Sequence, residues 1–215
     1  MTKRKLLSKA PKEYHKILSD VYDTLKANKI KITISEDKYV QYLGNCLGFF
    51  GGEVGEMEFA VAVGNPIEIW MPTFIHESCH LDQFLEDKYI WDTSDIYIDY
   101  YFRWVSGEIE LSPTRVRESM EKTILLEKDC EERSVAKIKK YNLPMDTDRY
   151  IQTANTYLYS YTIFTEKRKF IEGIHSNPMV YGKCPKHFVS NYTKLPIKIR
   201  SAIEKHIASI ENNKI

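Results

Sequence analysis

The sequence predicts an α+β fold, with a small sheet near the N-terminus, one helix bearing a polar motif, and a mainly helical remainder. Two patterns carry this expectation. Short β-branched and aromatic runs bounded by glycines fall between residues 31 and 64, and apolar residues at helical spacing fill most of the chain beyond residue 73. At 215 residues the chain fits a single domain over 1–215, with an N-terminal α/β lobe at about 1–90 and a helical lobe at about 110–215.

The elements follow in order. Residues 11–28 place Tyr14, Ile17, Leu18, Val21, Tyr22 and Leu25 on one helical face, with Pro11 at the start and Asn28 near the stop. KITI (31–34), CLGFF (46–50) and MEFAVAVG (57–64) read as strands, with Gly51, Gly52 and Gly55 turning between the last two. The run ending in Gly64-Asn65-Pro66 reads as the last or edge strand. A helix is expected from about Thr73 to Leu85, then an acidic aromatic connection whose structure is left open. Further helices are expected from Pro113 to about Tyr141, from about Asp148 to Glu172, and over KLPIKIRSAIEKHIASIENN.

Composition is 43% hydrophobic and 28% charged, and no apolar run approaches the ~18 residues of a membrane span. With no secretory signal either, the chain is expected in the cytoplasm of the cell that makes it, the host's if it is viral. Its four cysteines, Cys46, Cys79, Cys130 and Cys184, form no C-x-x-C pair and read as reduced, mostly buried thiols. Charge is unevenly spread. Residues 1–51 carry 10 basic and 5 acidic side chains, residues 52–132 carry 6 and 19, and residues 133–215 carry 15 and 6. Either these blocks pair in the fold, or the acidic middle is a working surface. Such a surface suits a cation or a basic segment and repels a nucleic-acid backbone.

The motif FIHESCH (74–80) lies in that acidic block. On a helix His76 and His80 stand one turn apart on one face, the arrangement that lets two imidazoles hold one Zn2+, and Glu77 can serve as general base to the attacking water. Thr73, Phe74, Ser78, Cys79 and Leu81 are uncharged, as a buried helix requires, and Asp82 is a possible orienting carboxylate for a histidine. Catalytic zinc usually takes a third protein ligand. On the helix starting at Pro113, Glu131 falls within the apolar stripe of Met120, Ile124, Val135 and Ile138, where a carboxylate needs a compensating charge. Glu127 shares the stripe and is the rival ligand, whereas Asp129 and Glu132 turn outward. A buried Glu–Arg or Glu–Lys pair would also account for the stripe. For an oxyanion donor, RYIQTANTYLYSYTIF offers Tyr150, Tyr157, Tyr159 and Tyr161, with Tyr157 and Tyr161 named as catalytic candidates against the alternative that the tyrosines are core. His175, His187 and His206 read as surface residues.

TFIHESCH, followed 51 residues later by Glu131 in DCEERSVAKI, resembles the zincin metallopeptidases of the gluzincin type. That resemblance implies a zincin-like fold whose first helix carries both histidines and the base. A second helix would carry the glutamate, with a small residue three places on, here Ser134. Val135 stands where related families often have an acidic residue. Cys46 in GNCLG, upstream of the motif, resembles the cysteine ligand of peptide deformylases and is a further ligand candidate. IWMPTFIHESCHLDQF, LEKDCEERSVAKIKKYNL and RYIQTANTYLYSY are similar to functionally uncharacterised proteins of large tailed bacteriophages. The resemblance implies a zinc-dependent peptidase acting on a peptide or protein. The alternatives are a zinc amide hydrolase for a non-peptide substrate and a non-catalytic binding or inhibitor protein on the same fold.

Overall fold

The computed structural model describes residues 2–42, 44–52, 55–86 and 88–212. It is α+β, with a small mixed sheet and a majority of helix. The chain divides into two units, Met1–Asp87 with Ala136–Met145, and Lys88–Val135 with Asp146–Ile215.

In the first unit, α1 (Lys3–Leu7), a 3-10 turn (Lys12–Tyr14) and α2 (His15–Ala27) precede β1 (Lys31–Ser35), and α2 buries Ile17, Leu18, Val21 and Leu25. β2 (Val40–Gln41) pairs antiparallel with β3 (Asn45–Cys46). β4 (Gly48–Gly51) and β5 (Glu58–Ala62) complete a three-stranded sheet of order β1-β5-β4. β1 runs parallel to β5 in the register Lys31↔Glu58, and β4 runs antiparallel to it in the register Phe49↔Ala60.

β5 is the last strand in chain order, one of the two positions read from Gly64-Asn65-Pro66, but it is central in the sheet, which corrects the edge alternative. Its residues 59–62 are all buried, so FAVA is apolar on both faces, as a strand with two neighbours and two covered faces requires. Of the turn between β4 and β5, Glu53 and Val54 lie outside the described residues. Gly52 and Gly55 take φ of 135° and 97°, which favours glycine.

α3 (Ile67–Glu86) starts six residues before the expected Thr73. Pro72 sits inside it and gives up one intrahelical bond, which is why the sequence reads as a break there. Burial of Trp70, Met71, Phe74 and Ile75 favours the helix, with Phe74 edge-on to Phe59 of β5 at 5.2 Å. Gly48 of β4 permits close approach to α3, since a Cβ there would lie 2.8 Å from Thr73 Cγ2.

α4 (Lys88–Val105) makes the acidic aromatic connection helical, and Asp87 just before it lies outside the described residues. α5 (Pro113–Lys140) is one unbroken helix of 28 residues that contributes to both units. It ends at Asn142, which takes the left-handed φ of 49°, and Leu143 N–H bonds back to the Ile138 carbonyl.

In the second unit, α6 (Thr147–Lys167), α7 (Pro178–Tyr181) and α8 (Ile197–Asn212) build a core with α4 and α5 around Tyr101, Ile124, Leu158, Tyr161, Ile199 and Ile203. Asp146 caps α6 by accepting from the Arg149 N–H. α6 ends at Lys167, five residues short of the expected Glu172, with Arg168 capping it in the left-handed conformation. Among the described residues, no helix is long and apolar enough to cross a membrane.

Candidate metal centre

The first unit supplies the motif ready-made. On α3 the rings of His76 and His80 stand edge-to-face, and their Nε2 atoms are 3.1 Å apart. A tetrahedral zinc about 2.05 Å from two nitrogens holds them about 3.3 Å apart, so the pair already has the spacing of two ligands to one ion.

The tautomer is set as well. His80 Nδ1 lies 2.8 Å from Gln83 Oε1, which can only accept, so Nδ1 carries the proton and donates. The Nε2 lone pair is thereby turned towards His76. Gln83 is fully buried one turn beyond His80. Sequence reading missed it, although its i+3 position relative to His80 was the available signal.

Asp82, expected to orient a histidine, instead pairs with Lys137 Nζ at 2.8 Å. The Lys137 ammonium also donates to the Ser78 carbonyl at 2.8 Å and to Ser78 Oγ at 2.9 Å. One lysine thus ties the last turns of α5 to the middle of the motif, and nothing in its sequence context distinguishes it from the surface lysines beside it.

Glu77 is 7% exposed. Cys79, 0% exposed, faces the core as an uncharged filler. Cys46 is half-buried and donates its thiol to the Val40 carbonyl. Burial, with the charge of Glu77 next, pushes that thiol up to about 11, so it remains protonated at neutral pH.

In the second unit, the stripe on α5 is present as read. Met120, Ile124, Glu127, Glu131 and Val135 are all buried, whereas Glu132 is exposed and pairs with Lys128, and Asp129 is half-buried and pairs with Arg133. Tyr150 Oη donates to Glu131 Oε2 at 2.7 Å. Burial, reinforced by the Glu131 charge, holds the Tyr150 hydroxyl well above its ordinary range, so it stays a donor. Tyr150 therefore acts first as the orienting partner of Glu131, a role that its place among the tyrosines did not reveal. Ser134 Oγ bonds to the Cys130 carbonyl one turn back.

Tyr161 is buried, and its hydroxyl is 2.6 Å from that of the half-buried Tyr157. Burial and then the charge of Glu127 hold the Tyr161 hydroxyl well above the usual range. Tyr159 packs edge-on to Tyr192 in the core. His175 and His187 are exposed as expected, but His206 is half-buried and bonds to Asn177 and the Glu172 carbonyl.

No protein-family model, no curated protein and no solved structure matches the chain.

Proposed function

We propose that the protein is a zinc-dependent hydrolase, a peptidase of the zincin kind, in which His76 and His80 are two ligands and Glu77 is the general base. One observation carries the reading. Two imidazole nitrogens 3.1 Å apart, one with its tautomer set by Gln83, sit on α3, where the residue next in sequence to His76 is the buried Glu77.

The third ligand comes from α5. Glu131 is the first choice because it is buried and already hydrogen-bonded, as a ligating carboxylate usually is. Glu127 is its rival on the same stripe, and the buried thiol of Cys130, the residue before Glu131, is a further candidate. Zinc, when bound, polarises the scissile carbonyl and makes water acidic. The chain's own residues do the rest. Glu77 takes the proton from the attacking water and passes it to the leaving amine, and Tyr157 or Tyr161 donates to the developing oxyanion. β4, an edge strand packed against α3, is where an extended peptide adds by main-chain pairing.

Metal analysis of the purified chain and the Glu77→Gln variant test this together. The expected result is about one equivalent of zinc in both proteins, with peptide hydrolysis falling by about 10²–10⁴-fold in the variant. Zinc well below half an equivalent, with no gain in stability on adding it, would remove the metal centre. Retained zinc with unchanged biological activity in Glu77→Gln would remove the enzyme but not the metal.

A further inference from the structure

A second site lies wholly within the second unit. A groove of about 470 Å³ is walled by Trp104, Leu111, Val116 and Met120, with Arg117 and Arg168 at its polar side. Its volume falls within the range of about 300–1,000 Å³ typical of small-molecule sites.

The two arginines differ. Arg168 is committed to the protein. Its Nε donates to the Trp104 carbonyl, its Nη2 donates to the Ile109 carbonyl and pairs with Glu110 at 2.8 Å, and its guanidinium lies 5.2 Å from the centre of the Trp104 ring. It does this from a left-handed backbone conformation, φ 48°, that a glycine would adopt at lower cost. The side chain, not the backbone, accounts for an arginine there.

Arg117 is the opposite case. It is exposed at the groove and makes no hydrogen bond or ion pair among the described residues. Since Arg168 neutralises Glu110, the charge left in the groove is the single guanidinium of Arg117.

The geometry points to a binding site for an amphipathic monocarboxylate, a small acid with an aromatic or branched apolar body. The body lies against Trp104, Leu111 and Met120, where apolar surface is removed from water. The carboxylate meets the planar fork of Arg117, which matches its two oxygens. One uncompensated cation selects one negative charge, so a phosphate dianion fits less well. The site does not depend on the metal centre or on hydrolysis.

The test is to titrate the full chain with 4-phenylbutyrate and, in parallel, with 4-phenylbutan-1-ol, followed by calorimetry and ligand-observed NMR. The acid is expected to saturate and to bind about tenfold tighter than the alcohol, as a charge-assisted pair implies. R117Q removes that advantage while circular dichroism and Tm stay unchanged. Leu111→Glu, which puts a like charge in the groove, weakens the acid more than the alcohol. Equal affinity for acid and alcohol, wild-type binding of the acid by R117Q, or no saturation by the acid up to about 10 mM would each overturn the site.

Discussion

Gln83 Oε1 accepts a hydrogen bond from Nδ1 of His80 at 2.8 Å, within a single turn of α3. This bond places the His80 proton on Nδ1 and turns Nε2 towards His76. Gln83→Leu, similar in size but without the acceptor, is expected to lose about 10–100-fold in zinc affinity while the helix remains folded. Competition with a chromogenic chelator measures it, and unchanged affinity would show that the tautomer is set elsewhere.

The ligand set can be read from metal content. His76→Ala and His80→Ala are expected to lose zinc, and Glu131→Gln to lose more than Glu127→Gln, Cys130→Ala or Cys46→Ala. Elemental analysis of the six proteins after gel filtration gives the order. A larger loss in Cys130→Ala than in Glu131→Gln would assign the third position to sulfur.

Lys137 is mostly buried between Asp82 and Ser78. Lys137→Met keeps the aliphatic stem but leaves the Asp82 carboxylate and the Ser78 carbonyl without that cation. The expected cost is about 2 kcal/mol, within the range for losing hydrogen bonds to a charged group. Urea unfolding measures it, and Asp82→Asn in the same chain should recover part of the loss.

A methyl group at Gly48 would meet Thr73 Cγ2 at 2.8 Å and the Ala60 carbonyl oxygen at 2.9 Å. Gly48→Ala is expected to destabilise by about 1–3 kcal/mol through overpacking. Thr73→Ser, which removes the Cγ2, should soften that cost in a double-mutant comparison.

Glu58 gives a pH signature. Burial alone would raise its carboxyl, but hydrogen bonds from Lys31 and Thr33 outweigh burial and hold it below the usual range. A group depressed in the folded state stabilises fully above its unfolded value, about 4.3, and loses that contribution as pH falls through the folded value. Wild type should therefore exceed Glu58→Gln in stability at pH 7, with the gap closing as pH falls below the unfolded value and through the lower folded one. A gap that stays constant would assign the effect to packing.

Much of this was legible in the sequence. The stripe on α5 could be read because burial there follows the 3.6-residue period, so Met120, Ile124, Glu131 and Val135 could be placed on one face from spacing alone. The motif helix was visible from His76 to His80, but its start was not, because Pro72 and the β-branched residues before it mimic a break. The order of the strands was not legible either. β5 takes its neighbours from residues 27 positions before it and about 10 before it, and turn signals report ends, not partners. Gln83, Lys137 and the pairing of Tyr150 with Glu131 were missed for one shared reason: each role is set by which polar atoms lie within hydrogen-bond reach in the fold, and spacing along the chain does not report that.

The unbroken run of α5 has a consequence for synthesis. The first unit needs Ala136–Met145, where Lys137 holds Asp82, Tyr141 donates to Asp20, and Ile138 and Leu143 are buried. On the ribosome, residues up to 87 must therefore wait until residue 145 has emerged. At about 5–20 residues per second that delay is about 3–12 s, during which the sheet and the histidine helix lack their last partners. Nascent chains stalled before residue 136 should hold the motif helix in a protease-sensitive state, and those stalled well past 145 should not.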